Sequence, residues 1–210
     1  MSGVPIKLIS STSSVIIRDL ESLSNAGLAY FFFDFKDEGK QGSRAFLSSI
    51  LVQLSDQSEP CYELLRELYS AHRNGFKQPT DDSLMQCLKD MLTTAEQVPI
   101  YLIMDAIDEC PNDSGMPTSR ETVLELVEEL VGLRFPNLRI CVTSRLEFDI
   151  CNTVEPMTTQ QLSLHNESGQ IRDINNYITD VVRKDRRMKK WRDNDKDAVI
   201  EGLTERANGM

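Results

Sequence analysis

Asp105, Asp108 and Glu109 stand directly behind the apolar run Ile100-Tyr101-Leu102-Ile103-Met104. Acid in that place can do chemistry, because open α/β sheets bind ligands outside the carboxyl ends of their strands. Carboxylates there suit a hydrated Mg²⁺, which keeps several waters and takes one or two carboxylates plus phosphate oxygens. A neighbouring acid could also orient an attacking water. The structural alternative is a solvated acidic loop that merely ends a strand. A second group, Thr143-Ser144-Arg145, ends the run Ile140-Cys141-Val142. From a neighbouring strand slot, Arg145 would either sense a γ-phosphate or form a salt bridge to Asp108 or Glu109.

The elements that position these residues are legible from apolar periodicity. Residues 12–24 read as a helix with Val15, Ile16, Leu20 and Leu23 on one face, ended by Asn25-Ala26-Gly27. The aromatic run 28–35 is a strand covered on both faces. Stripes at Phe46 to Leu54, Leu64 to Tyr69 and Leu84 to Leu92 predict three helices. Thr118-x-x-Glu121 is a capping box for a fourth, carrying Val123, Leu126, Val127, Leu130 and Val131. Strands are expected at 99–105 and 138–143, with a weaker one from Gln160 to Leu164 and two terminal helices beyond. Uniformly apolar strands alternating with helices predict an α/β fold with a parallel sheet flanked by helices.

Composition narrows the function classes. The 210 residues carry 23 basic and 33 acidic side chains, a net charge of −10, which opposes nucleic acid and anionic membrane as main partners. The basic cluster from Arg183 to Arg192 is interleaved with Asp185 and followed by Asp193, Asp195 and Asp197, the pattern of a solvated face. No apolar run approaches a membrane span, and the N-terminus makes a poor signal peptide. Five scattered cysteines without a C-x-x-C pair predict reduced thiols and a cytoplasmic location. Cys110 beside two acids suggests a nucleophile, but neither His72 nor His165 has a recognisable local signature as its base. An aspartyl-nucleophile phosphatase wants acids separated by one residue, whereas Asp105 and Asp108 are separated by two.

Three segments taken together, AYFFFDFKDEGKQGSRAFLSSILVQLSDQ, VPIYLIMDAIDECP and NLRICVTSRLEFDI, closely resemble the NACHT-type NTPase domain of fungal NOD-like proteins. That domain is a signal-transducing P-loop NTPase, also described as the nephrocystin-type N-terminal domain. The resemblance runs from about Val15 to the C-terminus. It implies an NTPase core over residues 1–164 and the start of a helical lid over 165–210. It also implies a nucleotide-dependent regulatory function using ATP and Mg²⁺, with protein partners or self-association. Asp105 would be the Walker B magnesium ligand, Asp108 and Glu109 the catalytic acidic pair, and Arg145 the sensor.

The family's phosphate-binding loop, G-x-x-x-x-G-K-[ST], would fall on Gly3 to Ser10, which reads G-V-P-I-K-L-I-S. Only Gly3 and Ser10 match it. Leu8 replaces the second glycine and Ile9 the lysine, which removes close backbone approach and the main charge contact. Gly39-Lys40-Gln41 lies after the wrong strand and lacks the hydroxyl. The expectation is therefore a nucleotide-binding domain impaired at its phosphates, with turnover not expected. Alternatives are a nucleotide-free interaction scaffold or an inactive fragment. The strand that precedes such a loop has no counterpart unless residues 4–9 supply one. Otherwise an unpaired edge is expected inside the sheet. Asp105 should share a cleft with Arg145 and face Ser10, with Asp108 and Glu109 partly exposed on the same rim.

Overall fold

The computed structural model describes residues 5–23, 25–94, 98–112, 115–161 and 168–207. Contacts divide the chain into two compact units, Met1–Thr158 and Thr159–Met210. In the first unit the order is α1 (Pro5–Glu21), β1 (Gly27–Phe32), α2 (Ser43–Gln57), α3 (Glu59–Ala71), α4 (Asp81–Thr94), β2 (Ile100–Asp105), α5 (Ser119–Gly132), β3 (Leu138–Val142) and α6 (Phe148–Val154). The second unit holds α7 (Ser168–Lys184) and α8 (Asp193–Ala207). The fold is α/β, a three-stranded parallel sheet in the order β1-β2-β3 flanked by helices.

The strands alternate between two apolar layers because successive side chains point to opposite faces. Ala29, Phe31, Phe33, Leu102 and Met104 enter the main core, with Phe46, Ile50, Leu88, Met91, Val127 and Leu130 from α2, α4 and α5. Leu28 and Ile103 enter the other layer, where Tyr30, Tyr101 and Cys141 pack alongside and Ile17 of α1 is buried. Each such side chain, fully buried, contributes about 1.5–3 kcal/mol of transfer free energy. The predicted capping box forms: the Thr118 hydroxyl accepts from the Glu121 N–H, and the Glu121 carboxylate accepts from the Thr118 N–H at 2.7 Å.

At β1 the outward backbone groups are met by amides of α2. Gln57 bonds both the N–H and the C=O of Leu28, at 2.9 and 2.6 Å, and Gln53 does the same for Tyr30, at 3.0 and 2.8 Å. Two glutamines one helical turn apart thus imitate a neighbouring strand.

Three expectations need correction. The first helix begins at Pro5 rather than near residue 12, and it ends at Glu21. Proline at a helix start is favourable, since its missing N–H is unpaired there in any case. Residues 5–9 are therefore helical and do not supply a substitute strand. The three strands are contiguous, in the order β1-β2-β3, so no gap lies between them. Finally, Gln160 and Gln161 lie outside any strand, while the remainder of that expected strand is outside the described residues.

Candidate functional site

Asp105 is the last residue of β2, the central strand, and is 1% exposed. Its Oδ1 accepts from the Thr143 hydroxyl at 2.7 Å and from the hydroxyl of Ser13, which is itself fully buried. The Thr143 oxygen in turn accepts from the Ala106 N–H at 2.9 Å. The loop after β2 is fastened to β3 by the backbone as well, since Thr143 N–H donates to Met104 C=O and Ile107 N–H to Thr143 C=O. Ala106 is left-handed, at φ 58° and ψ 51°. That conformation costs a non-glycine residue roughly 1–2 kcal/mol and turns the chain sharply into the Ile107–Glu109 turn.

Asp108 and Glu109 are partly exposed as whole residues, while their side chains are 6% and 11% exposed. Asp108 accepts from the Arg145 N–H at 3.1 Å and pairs with its Nε at 3.4 Å. Glu109 lies 4.0 Å from Arg145 Nη2 and accepts from the Phe35 N–H at 3.2 Å. Of the two roles open to Arg145, the salt bridge to these acids is the one formed. Asp105 takes no part in it. The structure thus holds a largely buried carboxylate–hydroxyl knot, Asp105-Ser13-Thr143, and an ion-pair cluster in which half-exposed Arg145 meets the largely buried side chains of Asp108 and Glu109. Both lie at the C-terminal edge of the sheet. Among the described residues, no group of three or more His, Cys, Asp or Glu is arranged to hold a metal ion. Gly3 lies outside the described residues. Ser10 is within α1, and its side chain is outside them too.

Sequence reasoning missed Arg120. Its side chain, 8% exposed, ties four groups together. Nη2 donates to Asp108 C=O at 2.6 Å and Nε to Cys110 C=O at 3.1 Å, while Nη1 meets Glu147 and, at 3.4 Å, Asp149. Burial lowers the guanidinium pKa, yet the two carboxylates more than offset it and the net shift is upward. The planar fork suits this task because it presents several donors in fixed directions. Arg120 thereby holds the loop after β2 to the segment after β3.

In that loop Cys110 is 1% exposed. Burial pushes its thiol up to about 12, with Asp108 and Glu109 raising it further and Arg120 lowering it. Burial and then Asp90 carry Cys87 to about 11. Both thiols should resist an aromatic disulfide reagent at pH 8 until the protein unfolds, while Cys141 and Cys151, partly exposed, react first. The raised pKa values also fix a sign. Below the ordinary thiol pKa of 9.0 their contribution is fully present. It is lost as pH rises toward about 11 and 12, because the unfolded chain sheds those protons first. Unfolding midpoints that stay flat across that range would contradict the assignment.

No helix among the described residues is long and apolar enough to cross a membrane. No curated protein matches the chain, and no solved structure does. A family model does match: Nephrocystin 3, N-terminal, over residues 7–145, about two thirds of the chain. That span runs from within α1 to Arg145 and takes in the Asp105 knot, the Asp108-Glu109-Arg145 cluster and Arg120, though not its partners Glu147 and Asp149. The chain belongs to the nephrocystin 3 N-terminal family.

Proposed function

We propose that this chain is a signal-transducing regulatory domain of the NACHT type whose capacity to bind nucleotide is impaired. The carrying observation is the course of α1. Where a phosphate-binding loop would have to stand, the backbone is helical from Pro5. In a helix the N–H groups beyond the first turn bond to carbonyls four residues back, so they cannot cradle phosphates. The roles assigned by resemblance fit Mg-ATP poorly for further reasons. Asp105, the proposed magnesium ligand, already accepts two hydroxyls at one oxygen. Arg145, the proposed sensor, is engaged by Asp108 at 3.4 Å and lies 4.0 Å from Glu109, and those two acids are the proposed catalytic pair. These contacts favour the scaffold reading within the same family, in which the domain works through protein partners or self-association without turnover.

Calorimetric titration with Mg-ATP tests this. Loss of a charge-assisted phosphate contact costs roughly 1.5–3 kcal/mol, and each ~1.4 kcal/mol is a decade of affinity. Binding at least about tenfold weaker than in a relative with an intact G-x-x-x-x-G-K-[ST] loop is expected. A micromolar dissociation constant would overturn the proposal.

A further inference from the structure

The second unit carries a dense positive run. Seven of the ten residues from Arg183 to Arg192 are basic, in a chain of net charge −10. Sequence order mixes them with acids, but the structure sorts the two. Asp180 is engaged by Lys184, Asp185 by Arg187 at 3.0 Å, Asp193 by Lys196 at 3.3 Å and Asp197 by Arg183 at 3.3 Å. The other four cations of the run, Arg186, Lys189, Lys190 and Arg192, are exposed on the turn between α7 and α8. That turn is tied by its own backbone. Met188 N–H donates to Asp185 C=O at 3.1 Å, Trp191 N–H to Met188 C=O at 3.0 Å, and Asp195 N–H to Arg192 C=O at 3.0 Å. An open depression of about 480 Å³ lies against it, lined by Lys190, Trp191, Arg192 and Asp195. Trp191 is 48% exposed.

We propose that this depression docks an acidic segment of a partner protein. Lys190 and Arg192 meet its carboxylates, for which a guanidinium has the matching two-pronged geometry. Trp191 supplies apolar contact beside them, and Trp and Arg are the side chains that most often anchor protein interfaces. Asp195 decides between a peptide and other polyanions. A surface of phosphates, lipid or nucleic acid, offers this wall acceptors, so Asp195 would meet like charge. A peptide brings both kinds of group: carboxylates for the two cations and backbone N–H donors for Asp195. The tied turn leaves little to immobilise on binding, which lowers its entropic cost. Arg186 and Lys189, beside the depression, steer the acidic segment toward it, an effect that weakens with salt. The family match over residues 7–145 ends before this unit, so the inference stands or falls apart from the nucleotide reading.

The chain has 1 tryptophan, so the fluorescence of Trp191 reports this site directly. The full chain is titrated at low salt with a short peptide of Glu and Asp spaced by Ser and Gly. The expected result is a saturable change in Trp191 emission that weakens severalfold at physiological salt. The same peptide with Gln and Asn in place of its acids should give no change. Lys190→Gln together with Arg192→Gln should lower peptide affinity at least about tenfold with unchanged circular dichroism, since two charge-assisted contacts are lost. Should that pair disturb the helices, Lys190→Gln alone should still weaken binding severalfold. A Trp191 emission indifferent to the acidic peptide would overturn the proposal. So would an equal response to phosphatidylserine vesicles or to a single-stranded oligonucleotide, or a peptide affinity that survives both substitutions.

Discussion

Arg120→Ala is expected to destabilise the first unit by about 2–4 kcal/mol, through the loss of a buried cation with four partners. The two carbonyls it serves, Asp108 and Cys110, lie in the loop after β2 and lose a charged donor each. Hydrogen bonds to charged groups are worth roughly 1.5–3 kcal/mol apiece. Glu147 and Asp149 moderate the cost, because their side chains are 40% and 36% exposed and can be rehydrated. Arg120→Lys keeps the charge but not the fork, so it should recover less than half of the loss. Urea unfolding with an unchanged m-value measures the difference. Local loosening should show separately as faster labelling of Cys110 in the folded protein. A change below about 1 kcal/mol would mean that the tie is decorative.

That residue also marks where sequence reading stopped. Strands were legible wherever apolar residues ran without interruption, as at 100–105, because burial on both faces leaves no polar alternation. The α5 start was legible because Thr118 and Glu121 are close enough to act as one local device. Arg120, between them, looks like any helix-surface cation. Its burial depends on Glu147 and Asp149, more than two dozen residues away, and nothing local announces them. Ser13 illustrates the same limit at shorter range. The resemblance pointed to Ser10 as the hydroxyl facing Asp105, on the premise of a loop there. With α1 helical from Pro5, the hydroxyl found on Asp105 is that of Ser13, three residues further on. The left-handed turn at Ala106 was invisible for another reason: alanine carries no preference for positive φ, so the surrounding bonds impose it. The Arg145 salt bridge, by contrast, was one of two readings available from the sequence, and the structure forms it.

Asp105→Ala is expected to cost about 3–5 kcal/mol, because three elements meet on one carboxylate oxygen. Ser13 brings α1, Asp105 itself ends β2, and Thr143 follows β3. Removing the acceptor strands the buried Ser13 hydroxyl, at about 1–3 kcal/mol, and the part-buried Thr143 hydroxyl at less, and frees the Thr143 oxygen that steadies strained Ala106. Asp105→Asn keeps an acceptor of the same shape but loses the charge, so a smaller loss, near 1–2 kcal/mol, should follow. The Ser13→Ala and Asp105→Asn changes share one bond, so their double-mutant cycle should be non-additive by at least 0.5 kcal/mol. Magnesium separates a purely structural knot from a retained cation site. If the knot is structural, Mg²⁺ should leave the melting temperature of wild type and Asp105→Asn equally unmoved. A cation bound at Asp105 would instead stabilise the wild type alone, by mass action. That outcome, or a loss for Asp105→Ala no larger than for an exposed aspartate, would show that this carboxylate is not the point at which the sheet and its first helix are joined.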